Sequence, residues 1–308
     1  MKLDNILGLE KLSADQIKTI LQTTDSMREV LSREVKKVPT LRGKLVANLF
    51  YEPSTRTKSS FNLAAKRLSA DTMSISAKSS SIVKGEGLID NGRTLCALGA
   101  DAIVMRHSMP GAAKLLADNV EVPVLNAGDG IHEHPTQALL DIYTLQEELT
   151  EIEGKKVVIV GDILHSRVAR SNIWGLLKLG AEVSLVAPET LLPANIEQLG
   201  VKVYNQLKPA IKDADAINLL RIQQERQEKG YFPSLKEYIS FYGLRTADLA
   251  DAKKDITIMH PGPMNRGVEI STEIIDEKGS VIERQVTNGV AVRMALLYLL
   301  IGGQQNNE

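Results

Sequence analysis

Short apolar runs alternate along the chain with longer segments of helical periodicity. Several of these runs are continuous rather than alternating, which is typical of parallel strands that are covered on both faces. The repeated order of strand and helix favours parallel sheets with right-handed crossover connections. The runs predicted to form strands are residues 44–50, 101–106, 122–126, 156–160, 182–186, 216–220 and 256–259.

Helical patterns fill the segments between these runs. Ser13, followed by Gln16 three positions later, is a capping-box signature that predicts the start of a first helix. The most apolar stretch, residues 290–301, contains Arg293 and is too short to cross about 30 Å of hydrocarbon, so we predict a buried C-terminal helix. This last helix is predicted to span residues 288–301, and the further predicted helices are residues 55–68, 135–148 and 167–179.

A glutamate-rich segment, residues 147–155, is the predicted junction between two domains. At roughly 150 residues per domain, a chain of 308 residues also suits two. The predicted fold class is α/β, with two doubly wound parallel-sheet domains joined by helices. Residues 1–148 with 286–308 form the first predicted domain, and residues 149–285 form the second. We expect the active site in the interdomain cleft, where carboxyl ends of strands would face one another.

Composition narrows the classes of function. The net charge is −1, so the molecule as a whole has no electrostatic reason to bind nucleic acid or an anionic membrane. Cys96 is the single cysteine, which excludes an intrachain disulfide and argues against a cysteine zinc site. The N-terminal segment lacks an apolar signal region, so we expect a cytoplasmic protein. We expect neither a metal nor a cofactor, because no cluster of ligand residues has metal spacing.

A phosphate-binding pattern follows the first predicted strand. Pro53 forces a turn, and Ser54, Thr55, Arg56 and Thr57 then open a helix. Free backbone N–H groups, hydroxyls and a guanidinium at a helix N-terminus suit an anion. The same tetrapeptide would also serve as a serine N-cap with a solvated arginine. No G-x-x-x-x-G-K-[ST] sequence is present, which disfavours a nucleoside triphosphatase.

A second group of polar residues could act on a carbonyl oxygen. Arg106 ends a predicted strand, and His134 and Gln137 flank Pro135 where a helix opens. The helix dipole favours a neutral imidazole at His134. A neutral histidine and an arginine aimed at one carbonyl can stabilise the oxyanion that develops there. A mere capping role for His134 is the open alternative.

Arginines follow two predicted strands of the second half. Arg167 lies just beyond the turn after residues 156–160, and Arg221 follows the strand at 216–220. Guanidinium forks bind carboxylates, so the pair indicates a dicarboxylate site. A surface salt bridge is the ordinary alternative for either residue alone. The dinucleotide signature G-x-G-x-x-G is missing from the turn.

Two further segments could touch a ligand. A small polar stretch around Ser80 and Lys84 could deliver a hydroxyl and a cation, although it would pass equally as a plain surface loop. In the turn at residues 260–263, Gly262 and Pro263 leave carbonyls that could accept hydrogen bonds from a ligand amide. A purely structural turn remains the alternative there.

Together these segments resemble the aspartate/ornithine carbamoyltransferase family, in order and spacing over nearly the whole chain. The resemblance implies transfer of the carbamoyl group of carbamoyl phosphate to an amine, without a covalent enzyme intermediate. The residues that carry it are Ser54-Thr55-Arg56-Thr57, Lys84-Gly85-Glu86, Arg106-His107, His134-Pro135-Thr136-Gln137, Arg167, Arg221-Ile222-Gln223 and His260-Pro261-Gly262-Pro263.

The resemblance also implies a role for each residue. Ser54, Thr55, Arg56 and Thr57 would bind the phosphate, and Thr57 would also contact the carbamoyl oxygen, together with Arg106 and His134. Gln137 and the backbone of Gly262 and Pro263 would bind the carbamoyl amide. The carboxylates of the amino acid would be bound by Lys84, Arg167, Arg221 and Gln223.

L-Aspartate is the second substrate that the resemblance favours, which implies de novo pyrimidine biosynthesis. Ornithine enzymes of the family carry a His-Cys-Leu-Pro turn, whereas residues 260–263 here read His-Pro-Gly-Pro. Arg221 suits a dicarboxylate and would repel the side-chain ammonium of ornithine. The alternatives are a relative that uses ornithine or another amine, a non-catalytic scaffold, and a dinucleotide-dependent enzyme.

The resemblance further implies a homotrimer, because the family's loop with Ser80 and Lys84 enters the active site of the adjacent subunit. Regulatory chains or a dihydroorotase are open as further partners. Asn62 departs from the family pattern, where a glutamate is usual, and Gly87 and Asn91 replace residues that are more often hydroxylated. We expect these departures to affect helix packing or loop stiffness rather than chemistry.

Overall fold

The computed structural model describes residues 3–76, 87–222, 234–276 and 280–302. The chain divides into two compact units, which we call unit 1 and unit 2. Unit 1 comprises Met1–Leu139 with Thr287–Glu308, and unit 2 comprises Leu140–Val286.

Unit 1 contains a parallel sheet with helices between its strands. Within the described residues, its elements are α1 (Ala14–Ser32), β1 (Leu45–Phe50), α2 (Thr55–Arg67), β2 (Asp71–Ser76), α3 (Leu88–Ala97), β3 (Ala102–His107), α4 (Ala112–Ala117) and β4 (Val124–Asp129). Helix α5 (Pro135–Leu149) leads the chain into unit 2, and α10 (Ile282–Leu297) brings it back.

Unit 2 contains a second parallel sheet. Its described elements are β5 (Lys156–Val160), α6 (Arg167–Lys178), β6 (Glu182–Val186), β7 (Lys202–Tyr204), α7 (Leu207–Ile211), β8 (Ala216–Leu219), α8 (Leu235–Tyr242), β9 (Thr257–Met259) and α9 (Thr272–Asp276), with 3-10 turns at Glu189–Leu191, Ile196–Leu199 and Thr246–Asp251. The predicted fold class, two parallel-sheet α/β domains joined by helices, is therefore confirmed. The boundaries predicted at residues 148/149 and 285/286 stay a prediction.

Each sheet has a point where the strand order reverses. The order is β2-β1-β3-β4 in unit 1 and β7-β6-β5-β8-β9 in unit 2. The chain therefore leaves β1 and β3 towards opposite edges of the first sheet, and it leaves β5 and β8 towards opposite edges of the second. Ligands of open α/β sheets bind beyond the carboxyl ends of the two strands at such a reversal. In each unit, the fold therefore indicates one candidate ligand site, beyond the carboxyl ends of β1 and β3 in unit 1 and of β5 and β8 in unit 2.

The two strands that the apolar pattern missed are both edge strands. β2 has the sequence DTMSIS and β7 is only three residues long, Lys202–Tyr204. An edge strand has a neighbour on one side only, so it carries fewer buried side chains and no continuous apolar run. The predicted capping box is confirmed, since Ser13 Oγ accepts from Gln16 N at 3.1 Å and Gln16 Oε1 accepts from Ser13 N at 2.8 Å.

The C-terminal helix is buried, as predicted, but its predicted length was wrong. It begins at Ile282 rather than at residue 288, because its polar first turn breaks the apolar pattern, and it ends in a π turn, Tyr298–Gly302. At 21 residues, the segment Ile282–Gly302 is long and apolar enough to cross a membrane, yet most of its apolar stretch is buried inside the protein. The burial indicates the core helix of a folded domain.

Candidate active site

The first proposed ligand motif lies at the reversal point of unit 1. Ser54 occupies the N-cap position of α2 with an extended backbone (φ −159°), and Lys58 N donates to its carbonyl at 3.1 Å. Within the described residues, the Ser54 hydroxyl accepts no capping hydrogen bond. The simple N-cap interpretation of this serine is therefore not what the geometry gives.

The first turn of α2 presents donors without a competing carboxylate. Thr55 and Arg56 are exposed, Thr57 is 8% exposed, and the first turn contains no acidic residue among the residues described. The N–H groups of a first helical turn have no intrahelical acceptor, and the helix dipole places positive charge there. This arrangement suits the binding of a phosphate group.

Arg106 is held at the end of β3 by groups on both sides. Its Nη1 donates to Ala127 O at 3.1 Å, and its Nε lies 3.3 Å from Glu52 Oε2. Tyr51 N donates to Arg106 O at 2.9 Å, which ties the ends of β1 and β3 together. Burial lowers the pKa of the neighbouring His107, and the charges of Glu52 and Asp129 oppose this shift without reversing it.

His134 and Gln137 begin the helix that follows β4. His134 is 5% exposed and precedes the first helical residue, and its carbonyl accepts from Gln137 N at 3.0 Å and Ala138 N at 3.2 Å. Gln137, in the first turn, is half-buried. The start of α5 therefore fixes the backbone from which both side chains extend.

A buried polar cluster that sequence reasoning missed shapes the loop before α5. Asn126 Nδ2 donates to Asp129 Oδ1 at 2.7 Å, and Asp129 Oδ2 accepts from Gly111 N at 2.8 Å. Glu133 Oε2 accepts from Leu9 N at 2.7 Å. The signal that could have found the cluster is the run of polar residues at the end of an otherwise apolar strand.

One group of side chains has the spacing of a metal site. Ligand atoms of Glu10, His132 and Glu133 lie within 4.8 Å of one another. The two oxygens of Glu133 accept from Leu9 N at 2.7 Å and Glu10 N at 3.2 Å. Since these backbone donors already occupy the carboxylate, the geometry favours a structural role over a metal site. Glu133 connects the N-terminal segment to the loop before α5 through these hydrogen bonds.

The family departures pair with nearby polar groups. Asn62 Oδ1 accepts from the buried Asn48 Nδ2 at 2.9 Å, on the face of α2 that meets β1. Asn91 Nδ2 donates to Gly87 O at 3.0 Å, and Gly87 is the N-cap residue of α3. These contacts lie in helix packing and capping, in line with the expectation from the sequence.

Arg167 stands beside the reversal point of unit 2. Gly161 follows β5 with φ +130°, and a Cβ there would lie 3.0 Å from Leu220 Cβ, so a glycine lets the chain ends approach. Ser166 Oγ accepts from Ala169 N at 3.1 Å and caps α6. Arg167 is the first residue of that helix and is 4% exposed.

Arg221 follows β8 at the other side of the same point and is half-buried. The next residue, Ile222, donates its N–H to Glu269 Oε1 at 2.8 Å. Arg167, at the start of the helix after β5, and Arg221, just after β8, thus follow two neighbouring strands of the sheet. Gln223, Ser80 and Lys84 lie outside the described residues.

The turn after β9 is built around a buried histidine. His260 is 1% exposed, its N–H donates to Gln285 Oε1 at 3.0 Å, and its Nδ1 accepts from Gly262 N at 2.8 Å. Gly262 is half-buried, Pro263 is exposed, and the peptide bond between them is cis. The backbone of Gly262 and Pro263 is therefore accessible on the outside of the turn.

Known proteins share this architecture. Residues 4–147 match the family model described as aspartate/ornithine carbamoyltransferase, carbamoyl-P binding domain, and residues 153–300 match its Asp/Orn binding domain. The aspartate carbamoyltransferase catalytic subunit of Halothermothrix orenii is 59% identical over 308 residues, which cover 100% of this chain and 98% of that protein.

Solved structures agree. Aspartate transcarbamoylase from Trypanosoma cruzi, in complex with carbamoyl aspartate and phosphate, has a TM-score of 0.89 at 30% identity, over 97% of this chain and 96% of that chain. Ornithine carbamoyltransferase from Pyrococcus furiosus has a TM-score of 0.86 at 31% identity, over 98% of each chain. The two matching family models span both units, and the chain therefore belongs to the aspartate/ornithine carbamoyltransferase family.

Proposed function

We propose that the chain is an aspartate carbamoyltransferase, which transfers the carbamoyl group of carbamoyl phosphate to the amine of L-aspartate. The products are N-carbamoyl-L-aspartate and phosphate. The observation that carries the proposal is the pair Arg167 and Arg221 at the reversal point of unit 2, with Arg167 almost fully buried. Guanidinium groups there suit the two carboxylates of aspartate and disfavour the ammonium group of ornithine.

Unit 1 binds carbamoyl phosphate in this proposal. The hydroxyls of Ser54, Thr55 and Thr57, the guanidinium of Arg56 and the first-turn N–H groups of α2 hold the phosphate. The carbamoyl oxygen accepts from Thr57 and from a second set of donors on the neighbouring elements, Arg106 and His134. Gln137 of unit 1 holds the carbamoyl amide, together with the backbone of Gly262 and Pro263, which unit 2 contributes.

The reaction needs no covalent enzyme intermediate. The lone pair of the deprotonated aspartate amine forms a bond to the carbamoyl carbon, and negative charge develops on the carbamoyl oxygen. The bond between that carbon and the phosphate oxygen then breaks, phosphate leaves with the electron pair, and the amine loses a proton. Arg106, His134 and Thr57 stabilise the oxyanion, and the orientation of both substrates supplies much of the remaining acceleration.

We also propose a homotrimer with shared active sites, in which Ser80 and Lys84 reach the site of the adjacent subunit. The test mixes two inactive variants, Lys84→Ala and Arg56→Ala, after separate purification and reassembly. Shared sites predict partial recovery of activity. In a mixed trimer, some sites combine Arg56 of one subunit with Lys84 of the adjacent subunit, and both residues are then intact. A mixture as inactive as its components would contradict the shared site.

The remaining features of the proposal concern context. We place the reaction in de novo pyrimidine biosynthesis and the protein in the cytoplasm, with regulatory chains or a dihydroorotase as further partners to be sought by co-purification. The proposed domains are residues 1–148 with 286–308 for carbamoyl phosphate and residues 149–285 for aspartate. The site between them, and the part of Gln223 in carboxylate binding, rest on the family resemblance.

The activity is tested by measuring phosphate release from carbamoyl phosphate with L-aspartate or L-ornithine as the acceptor. The expected kcat/KM for aspartate exceeds that for ornithine by about 10² or more, since an ammonium group opposite Arg221 would be repelled. Chromatography of the carbamoylated product identifies the acceptor directly. A higher kcat/KM with ornithine would overturn the choice of substrate.

A further inference from the structure

Glu269 is a buried carboxylate of unit 2 that belongs to no proposed ligand set. It is 1% exposed, and an ionised carboxylate is costly to bury unless N–H groups bind it. Its Oε1 accepts from Ile222 N at 2.8 Å and from Asn265 Nδ2 at 2.7 Å, and its Oε2 accepts from Asn265 N at 2.8 Å. The carboxylate therefore accepts hydrogen bonds from two separate segments of the chain.

The backbone that carries this side chain is itself fixed. Leu244 N donates to Glu269 O at 3.0 Å, and Val268 N donates to Asn265 O at 2.9 Å in the turn just before it. The carboxylate consequently projects from an anchored position, and small movements of its donors are resisted by contacts on both sides.

The first segment that Glu269 holds lies between two proposed aspartate ligands. Ile222 separates Arg221 from Gln223 in the sequence. Its N–H binds Glu269, and its carbonyl oxygen lies 3.4 Å from Asn265 Nδ2. Because both backbone polar groups of Ile222 are held, the direction in which the chain leaves β8 is set by these side chains.

The second segment is the turn proposed to hold the carbamoyl amide. Asn265 lies two residues after Pro263, and its N–H is bound by Glu269 Oε2. The same oxygen lies 4.0 Å from Nε2 of His260, the buried residue that accepts from Gly262 N. One carboxylate therefore joins the segment that carries aspartate ligands to the segment that carries carbamoyl ligands.

We infer that Glu269 is a positioning residue, which sets the placement of Arg221 and Ile222 relative to the 260–265 turn by accepting hydrogen bonds from the backbone N–H groups of Ile222 and Asn265. This inference rests on the proposed function. Its chemical signature is the requirement for two acceptor oxygens, because Oε1 binds the backbone N–H of Ile222 and Oε2 binds that of Asn265, and a side chain with one acceptor leaves one of these N–H groups without its partner.

Glu269→Gln tests that requirement, since glutamine has nearly the same shape but replaces one oxygen with an NH₂ donor. In either orientation of the amide, that NH₂ group faces the backbone N–H of Ile222 or of Asn265, so that one of these two hydrogen bonds is lost. The expected result is a KM for aspartate raised about tenfold, with kcat at saturating aspartate within about threefold of the unaltered chain. The proposed phosphate ligands lie in unit 1, so the dissociation constant for inorganic phosphate should stay within about twofold of that of the unaltered chain.

The matched control is Glu273→Gln, which removes the same charge four residues later from a fully exposed side chain. It should leave the KM for aspartate unchanged. Succinate, a dicarboxylate without the amine, gives a second readout, and its inhibition constant should rise in parallel with KM in Glu269→Gln alone. A general loss of folding would instead weaken phosphate and dicarboxylate binding together.

Each outcome separates the inference from the proposed function. No transfer to aspartate by the unaltered chain would refute the proposed function and this inference with it. Normal transfer by the unaltered chain with an unchanged KM in Glu269→Gln would overturn the inference alone. If Glu269→Gln does not fold, Asn265→Ala, which removes the side-chain contacts to Glu269 Oε1 and to the Ile222 carbonyl, decides: a KM raised about threefold supports the inference, and an unchanged KM overturns it.

Discussion

The two units present their proposed anion ligands at corresponding points of their sheets, but they support those side chains differently. In unit 1, the proposed phosphate ligands from Ser54 to Thr57 lie within one helical turn, directly after β1. Local backbone geometry presents them, and Arg56 is exposed. The proposed phosphate site therefore needs little beyond α2 itself, whose first turn supplies both the backbone N–H groups and the ligand side chains.

In unit 2, a buried polar network supports the elements that carry the proposed aspartate ligands. Asp141 is fully buried, its Oδ2 accepts from Asn172 Nδ2 at 2.9 Å and from Asn218 Nδ2 at 3.4 Å, and its Oδ1 accepts from Gln285 Nε2 at 2.8 Å. Gln285 in turn holds the His260 backbone. The network thus joins α6, which begins with Arg167, and β8, which precedes Arg221, to the turn after β9.

The difference has a physical reason. A phosphate is bound well by backbone N–H groups and a helix dipole, which need little support beyond the helix. Two carboxylates on a short amino acid need charged groups at a fixed separation, and long arginine side chains hold that separation only when their anchors are rigid. We therefore expect unit 1 to be sensitive at the ligands themselves and unit 2 to be sensitive at distant supports as well.

The largest effect is expected for Arg56→Ala. Turnover should fall by about 10²–10³, because a preorganised charge at the reacting group is lost. The melting temperature should stay near that of the unaltered protein, since the side chain is exposed. Lys66→Ala, which removes an exposed cation from the last turn of the same helix, is the control and should retain activity. Comparable activity in both variants would remove Arg56 from the site.

Asp141→Ala should give the largest loss of stability. Removing the carboxylate leaves buried amide groups of Asn172 and Gln285 without this acceptor, at a cost of about 3 kcal/mol in the free energy of unfolding. Urea unfolding followed by circular dichroism measures the change. Asp213→Ala, an exposed position in the same unit, should change stability by less than about 0.5 kcal/mol. Equal stability of both variants would argue against a network that supports unit 2.

Arg167→Ala should lower kcat/KM for aspartate by about 10- to 100-fold, the effect of one charge-assisted pair with a carboxylate. The loss should appear mainly as a higher KM. Arg170→Ala, one turn into α6, is the matched control and should leave both constants near normal. A reduced kcat with an unchanged KM would assign Arg167 to the chemical step instead of aspartate binding.

The smallest effect concerns an ion pair remote from the proposed ligands. Burial alone would raise the pKa of Asp215, but hydrogen bonds from Lys253 Nζ at 2.6 Å and Lys156 N at 2.8 Å, with nearby lysine charges, lower it overall. A lowered folded-state pKa stabilises the protein above the unfolded-state pKa, and this stability is lost as pH falls through the folded value.

Asp215→Asn should therefore cost under about 1 kcal/mol at pH 7 and progressively less below about pH 4. Thermal unfolding across this range measures the difference from the unaltered protein, and Asp213→Asn serves as the exposed control. A cost that grows on acidification would mean that the sign of the shift is wrong.

The sequence predicts the local parts of this arrangement well. The motif at Ser54–Thr57 and the arginines at 167 and 221 lie next to strand ends, so the alternation of strands and helices is enough to place them. The capping box at Ser13 is similarly local. Such features depend on contacts among residues that are neighbours in the chain.

The supports of unit 2 could not be read in this way. Glu269 contacts Ile222 from 47 positions away, and Gln285 contacts Asp141 from 144 positions away. A polar residue in an apolar stretch shows only that some partner exists, and the pairing follows from the three-dimensional packing. The edge strands β2 and β7 were missed for a related reason, since their burial depends on the neighbour that the sheet supplies.

In the proposed function, unit 1 binds the phosphate and unit 2 binds the carboxylates of aspartate. Calorimetric titration of inorganic phosphate into the unaltered chain, Arg56→Ala and Arg167→Ala is the most direct test of this assignment. We predict that Arg56→Ala weakens phosphate binding at least about tenfold, because a charge-assisted contact is lost. We predict that Arg167→Ala keeps the dissociation constant within about twofold. Equal weakening by both substitutions would contradict the assignment of phosphate to unit 1 and of the carboxylates to unit 2.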